Sequence, residues 1–205
     1  QSRRQRQMCI RDRSDLEVLY ENLVKGKNLD YDESQHNALK VLNNLKTHIL
    51  KSFSTKKIRT LFGKLIFLKH FQKKSFFHDG IYLYGGVGTG KTMIMNLFFQ
   101  DLNITEKRRV HFHEFMHDFH QKTKKIRTKK NKDPIKTICS EIAKDIKVLC
   151  FDEFQIVDIT DAMIVGRLFD ELIKKKVTII TTSNFKPREL YLSLIHISEP
   201  TRLRR

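Results

Sequence analysis

Residues 85–92 read "GGVGTGKT" and decide the fold. The stretch fits the pattern G-x-x-x-x-G-K-[ST], with Gly85, Gly90, Lys91 and Thr92 at the fixed positions. The apolar run "IYLY" precedes it and the amphipathic run "TMIMNLFFQDL" follows it, as a strand and a helix do around a phosphate-binding loop. Glycines let the backbone wrap around phosphates, and the helix N-terminus adds partial positive charge. The stretch therefore predicts a nucleoside triphosphate site.

Two side chains of this loop have predicted roles of their own. Lys91 is expected to reach the β- and γ-phosphates, and the Thr92 hydroxyl to ligate magnesium. The alternative, a glycine-rich turn that merely enters a helix, is disfavoured by the flanking strand and helix. The predicted cofactors are ATP and Mg²⁺. The residues expected to bind them are Gly85, Gly86, Val87, Gly88, Thr89, Gly90, Lys91, Thr92 and Met93.

Polar residues follow two later apolar runs. In "KVLCFDEF" Asp152 suits a magnesium ligand, and Glu153 suits the carboxylate that polarises an attacking water. In "TTSN" Asn184 is expected to position the γ-phosphate and that water. The alternatives are an acidic pair at a helix start and an ordinary turn asparagine. The predicted catalytic residues are Glu153, Asn184 and Lys91, and the predicted metal ligands are Thr92 and Asp152.

The pattern from Gly80 onward predicts the architecture. The runs "IYLY", "RVHFHEF", "KVLCF" and "VTIITTSN" alternate with amphipathic helices, and continuous apolar runs are typical of strands buried on both faces of a parallel sheet. Alternation of this kind predicts a three-layer α/β sandwich, the P-loop NTPase fold. The GTPase signature D-x-x-G is absent, and the order of motifs favours the AAA+ type. Ligands of such sheets lie at the carboxyl ends of the strands.

The segment before this core is expected to be helical. Residues 14–79 hold two helical patterns, the second with Asp32 or Ser34 as its N-cap. Leu39, Leu42 and Leu45 form an apolar stripe along that second pattern. The predicted division is therefore a helical segment over 14–79 and a partial AAA+ core over 80–191.

Both ends of the chain are expected to be non-native. One DNA string that can encode "MCIRD" near the start has a reverse complement that encodes "LSLIHI", which stands at residues 192–197. Two ends of a natural protein have no reason to be related in this way, whereas translated sequencing adapters do. Residues 1–13 and 192–205 are therefore expected not to belong to the native fold. We expect the natural chain to continue past Tyr191.

Net charge and composition limit the classes of partner that this chain can bind, but they do not identify one. The formal net charge is +17, and removal of both ends leaves 32 basic and 21 acidic residues, or +11. Such a chain favours an anionic partner, although a solvated lysine-rich surface gives the same count. No apolar stretch is long enough to predict a membrane span, and no signal peptide is predicted. Three cysteines without regular spacing predict neither a disulfide framework nor a zinc site.

Two further clusters have open interpretations. His111 and His113 are expected on one strand face, with His117 and His120 on the next helix. Packing and hydrogen bonding are favoured over a metal site for these four side chains. A basic run over 122–132 is interpreted as a solvated loop, with nucleic-acid binding as the alternative. Cys139 and Cys150 are expected to be buried, without a redox role.

Several long stretches are similar to one known family. "GIYLYGGVGTGKTMIMNLFF", "KRRVHFHEFMHDFH", "KVLCFDEFQIVDITDAMIVGRLFDELI" and "TTSNFKPRELY" resemble the ZapE-type ATPases of bacteria and their mitochondrial relatives, the AFG-one-like ATPases. The resemblance covers residues 80–191 and extends well beyond a generic phosphate loop. Thr89 and Asn96 stand where many members carry arginine and aspartate, and neither change removes a catalytic group.

The resemblance implies an ATP-hydrolysing protein-remodelling enzyme. It implies a cell-division role with a protein substrate, the tubulin-like polymer of the division ring, together with homo-oligomeric assembly and peripheral membrane association. It implies the bacterial cytoplasm, with the mitochondrion as the alternative. It also implies that the arginine finger and the C-terminal helical lid lie beyond Tyr191 and are missing here. The alternative function is a nucleic-acid-binding AAA+ switch such as a helicase-loader-like protein.

Overall fold

A computed structural model of the chain describes residues 16–26, 29–61, 80–127, 133–156 and 158–190. The proposed non-native ends, the segment 62–79 and the second half of the basic run lie outside these residues. The described part divides into two compact units. The first comprises the N-terminal helices together with residues 96–103, and the second comprises residues 80–95 and the described residues from 104 onward.

Two helices of the first unit form a hairpin, α1 over Leu16–Lys25 and α2 over Glu33–Leu61. Asp32 is the N-cap of α2, because its Oδ1 accepts hydrogen bonds from the backbone N–H groups of Ser34 at 2.7 Å and Gln35 at 3.2 Å. The Tyr20 hydroxyl accepts a hydrogen bond from the N–H of Asp32 at 2.9 Å and so ties the inter-helix turn to α1. The sequence-predicted stripe is confirmed, since its three leucines are buried: Leu39, Leu42 and Leu45.

A buried ion pair also belongs to the first unit. Lys46 of α2 pairs with Asp101, and both side chains are less than one-tenth exposed. Two charges removed from water in this way require each other, because desolvation without a partner is costly. The pair therefore links α2 to residues 96–103 within the same unit.

The second unit is built on a parallel sheet of four strands in the order β1–β4–β3–β2. The strands are β1 over Gly80–Tyr84, β2 over Lys107–His111, β3 over Val148–Asp152 and β4 over Thr178–Ser183. The next helix, α3 over Lys91–Asp101, begins in this unit, and its residues from 96 onward belong to the first unit. The other helices of the second unit are α4 over Phe112–Arg127, α5 over Pro134–Asp145 and α6 over Ile159–Lys174. The α/β fold with a parallel sheet is confirmed.

The core of this unit lies between the sheet and helices α4, α5 and α6. Buried members include Phe119, Ile138, Phe151 and Leu168, which come from those three helices and from β3. β3 and β4 are buried almost throughout, whereas β1 and β2 are only partly buried because they are the outer strands of the described sheet. The expectation of burial on both faces therefore holds for the two inner strands and is wrong for the two outer ones.

The second predicted strand is shorter than "RVHFHEF" indicates. β2 ends at His111, and α4 begins at Phe112. The reason is the spacing of buried apolar residues, which follows a helical period: Phe112, Phe115, Met116 and Phe119. His113 consequently lies on α4, so the expectation that it shares a strand face with His111 is wrong.

Within the described ranges, no helix is both long enough and apolar enough to cross a bilayer.

Replacing either of two glycines by alanine should change the free energy of unfolding, in opposite directions at the two positions. A Cβ at Gly80 would lie 2.4 Å from the carbonyl oxygen of Ile179 on the neighbouring strand, whereas a Cβ at Gly166 in α6 would meet nothing within 4 Å. Gly80→Ala should lower the free energy of unfolding by about 1–3 kcal/mol through this clash. Gly166→Ala should raise it by about 0.5–1 kcal/mol, because alanine favours a helix over glycine. Urea denaturation measures both, and a loss of stability in the second variant would contradict the described helix.

Candidate active site

The phosphate loop lies between the end of β1 and the start of α3, within the second unit. Gly88 and Gly90 both have φ of +81°, a left-handed conformation that side-chain-bearing residues rarely adopt. Val87 at the tip is 89% exposed. Thr92 is exposed on the first turn of α3, with Met93 half-buried after it. The predicted cofactor-binding residues therefore form one continuous loop and helix start.

The Lys91 ammonium points back into the loop. Its Nζ donates to the carbonyl oxygens of Gly85 at 2.9 Å and Gly86 at 2.6 Å, and it lies 3.3 Å from the Thr89 hydroxyl. Partial burial lowers the pKa of Lys91 below its ordinary value. The cation thus lies inside the curve of backbone where the sequence predicts phosphates.

Asp152 is the last residue of β3 and is almost fully buried. Its Oδ2 accepts a hydrogen bond from Nε of Arg109 on β2 at 2.5 Å, and its Oδ1 lies 3.5 Å from the Thr182 hydroxyl on β4. Sequence reasoning missed Arg109. The sequence does place this basic residue in β2, the strand beside the one that ends in Asp152. Whether it reaches the carboxylate depends on the register between β2 and β3, which a local sequence pattern does not reveal.

Glu153 turns away from the sheet directly after Asp152. Its φ is +53°, in the left-handed region, and its side chain is 73% exposed. Its N–H donates to the Thr182 hydroxyl at 3.2 Å, and its carboxylate lies 3.9 Å from Nδ1 of His111. The turn therefore presents the carboxylate to solvent at the carboxyl end of the sheet, where a water molecule can reach it.

Asn184 directly follows β4 and is exposed. The preceding Ser183 connects it to the rest of the site, because its carbonyl accepts a hydrogen bond from the N–H of Gly85 at 3.2 Å. Gly85 opens the phosphate loop. The structure thus brings the loop, the two carboxylates and Asn184 to the same sheet edge, around the end of β4.

Tyr82 on β1 supports this edge from inside the unit. Its hydroxyl donates to the carbonyl oxygen of Phe185 at 2.8 Å, and its ring packs edge-on against Phe154 with ring centroids 6.0 Å apart. Burial is the main cause that raises the pKa of Tyr82 above its ordinary value. Sequence reasoning did not single out this residue, because an aromatic in an apolar run predicts only core.

The histidines make local contacts. His120 Nε2 lies 2.6 Å from Oδ1 of Asp161, and His117 Nε2 lies 3.3 Å from the side-chain nitrogen of Gln121. In the part of the chain that the structure describes, no group of three or more His, Cys, Asp or Glu side chains is placed to hold a metal ion. His120 and His117 thus make hydrogen-bond contacts, and the absence of a metal site stays a prediction.

Both described cysteines are buried, as predicted. Burial raises the pKa of Cys139 to about 11 and that of Cys150 to about 12, so both thiols stay protonated at neutral pH. The absence of a redox role stays a prediction.

A parallel sheet with a glycine-rich loop between β1 and α3, and with polar side chains directly after β3 and β4, defines a P-loop α/β fold. Comparison with known families agrees and is more specific. The chain belongs to the AFG1-like ATPase family, whose family model matches residues 15–197.

Two curated relatives show how much of such a protein is present. Lactation elevated protein 1 homolog B of Danio rerio is 46% identical over 122 residues, which are 55% of this chain and 24% of that protein. Cell division protein ZapE of Escherichia coli (strain K12) is 44% identical over 112 residues, 55% of this chain and 29% of that protein. The match thus spans less than a third of the length of these relatives.

A solved structure agrees with the fold. The crystal structure of DnaI superposes with a TM-score of 0.50 at 14% sequence identity, and the match covers 82% of this chain and 75% of that one. At this identity the likeness concerns the fold alone.

The Arg109–Asp152 pair gives a stability prediction. Arg109→Met removes the cation that hydrogen-bonds a buried carboxylate, so the free energy of unfolding should fall by about 1–3 kcal/mol. Arg108→Met is the matched control, since Arg108 is the exposed neighbour on the same strand. Denaturant titration of both variants provides the measurement. Equal effects would show that Asp152 does not depend on this cation.

Proposed function

We propose that this chain contains the ATP-binding and ATP-hydrolysing core of a AAA+ protein-remodelling ATPase that acts in bacterial cell division. The observation that carries the proposal is the convergence at the end of β4. There Ser183 is hydrogen-bonded to the start of the phosphate loop, and Thr182 is hydrogen-bonded to the turn that bears Glu153. Family membership supports the same activity.

Residues of the loop bind the triphosphate. Backbone N–H groups between Gly85 and Thr92 and the N-terminus of α3 supply partial positive charge, and Lys91 supplies a full charge. The ammonium exchanges its carbonyl partners for phosphate oxygens, which are stronger acceptors because they are anionic.

The donor set at this edge fits Mg²⁺. The exposed Thr92 hydroxyl and the Asp152 carboxylate are hard oxygen ligands, which this cation prefers. When bound, the ion neutralises charge on the phosphates. The carboxylate of Asp152 is already oriented by Arg109 and Thr182, so little side-chain ordering is required of it.

Glu153 and Asn184 handle the attacking water. The Glu153 carboxylate accepts the proton of the water as it attacks the γ-phosphate, and its exposure leaves room for that water. The Asn184 amide orients the water or the γ-phosphate by hydrogen bonding. Both groups sit on turns anchored to β4, so their separation is set by the sheet.

Glu153→Gln tests the assignment of the base. The amide cannot accept the proton, so turnover should fall by about 100-fold or more while ATP affinity is retained. Steady-state hydrolysis and titration with a fluorescent ATP analogue measure the two quantities in the intact protein. Glu114→Gln, which changes an exposed glutamate of α4, is the control. Unchanged turnover in the Glu153 variant would remove this residue from its role.

The proposed partner is a protein filament, in line with the name of the bacterial relative, Cell division protein ZapE. Purified tubulin-like division polymer should raise the ATP turnover of the intact protein, whereas duplex DNA should not. Stimulation by DNA alone, together with binding that weakens steeply as salt rises, would instead support the nucleic-acid-binding switch.

A further inference from the structure

We infer that Thr182 and Ser183 of β4 are positioning residues that couple the turn bearing Glu153 to the turn bearing Asn184. The inference rests on the proposed function for the roles of those two side chains. It goes further because it assigns a shared task to two side chains that are neither predicted ligands nor predicted catalytic groups, in addition to the contact of the Thr182 hydroxyl with Asp152.

The backbone at Glu153 needs external support. A glutamate with φ of +53° is in a region that costs side-chain-bearing residues free energy, and such a conformation persists only where its surroundings hold it. The ladder between β3 and β4 extends through Phe151 and Thr181, immediately before this turn. Support must therefore come from outside the regular ladder.

Thr182 supplies that support with two of its atoms. Its hydroxyl accepts a hydrogen bond from the N–H of Glu153 at 3.2 Å, and its carbonyl accepts one from the N–H of Phe154 at 2.7 Å. Thr182 is only 2% exposed, so water does not readily replace these partners. One residue thus holds both N–H groups of the left-handed turn.

Ser183 connects the same turn to Asn184. Its hydroxyl donates to the carbonyl oxygen of Phe154 at 2.7 Å and accepts a hydrogen bond from the N–H of Phe185 at 3.1 Å. Phe154 directly follows Glu153, and Phe185 directly follows Asn184. Since Ser183 is 1% exposed, this single buried hydroxyl bridges the backbones of the two turns.

The chain contains a matched control for Thr182. Thr181 is the preceding residue of β4 and is 3% exposed, and its hydroxyl is buried without a hydrogen-bond partner. Thr→Val at either position removes a hydroxyl and keeps the shape of the side chain. Only the change at 182 removes a hydrogen bond to the Glu153 turn. That change also removes the 3.5 Å contact with Asp152, so Ser183→Ala is measured beside it, because the Ser183 hydroxyl bridges the two turns without touching Asp152.

The experiment compares turnover in Thr182→Val, Thr182→Ser and Thr181→Val of the intact protein. Displacement of a catalytic group by a fraction of an ångström to 1 Å should lower kcat on the order of 10- to 100-fold, with little change in KM. Thr182→Ser retains the hydroxyl and should restore kcat. Thr181→Val should behave as the wild type. Wild-type kcat in Thr182→Val, or equal losses in both valine variants, would overturn the inference.

A second readout does not need turnover. Amide hydrogen exchange of the peptide that contains Glu153 and Phe154 should accelerate in Thr182→Val and Ser183→Ala, and not in Thr181→Val. If Thr182→Val fails to fold, Ser183→Ala replaces it in the kinetic comparison. If the wild type turns over ATP no faster than Glu153→Gln, the proposed function fails, and exchange alone decides the coupling. Equal exchange in all variants would refute it.

Discussion

The hydrogen bonds at the carboxyl end of β4 are the constraint on which the rest of the site depends. β4 lies between β1 and β3, so its last residues contact both the phosphate loop and the carboxylate turn. Ser183 accepts from the loop through its carbonyl, while Thr182 accepts from the turn through its hydroxyl. A single strand therefore sets the spacing between the loop that we propose binds the nucleotide and the groups that we propose act on it, as precise sites require.

Charged side chains also orient groups at the carboxyl edge of the sheet. Asp152 is buried, and an ionised carboxylate there would be costly without compensation. Arg109 and Thr182 approach its two oxygens from the strands on either side, so the side chain has a defined orientation. Lys91 provides the opposite charge in the neighbouring loop, where its ammonium donates to the carbonyl oxygens of Gly85 and Gly86. Hydrogen bonds thus orient both the buried carboxylate and the loop cation.

The sequence predicted the loop, the carboxylates and the asparagine because each is a local pattern: glycines before a lysine, or polar residues directly after an apolar run. The prediction of a strand was wrong from Phe112 onward. Over so few residues, the spacing of apolar side chains in "HFHEF" suits a strand as well as a helix. Sequence reasoning also missed Arg109 and Thr182. Their importance depends on which strands are neighbours and in what register, and neither is written in a local pattern.

At position 153, the left-handed backbone favours one residue for stability, while the proposed catalytic role favours another. Glycine would adopt this conformation without steric cost, so a screen for thermal stability alone would favour it there. Glycine carries no carboxylate, so a screen for turnover would reject it. Natural enzymes often hold such compromises where chemistry is performed. A variant library at residue 153 should therefore separate heat resistance from catalysis more sharply than one at the relaxed, exposed helix positions of the same unit.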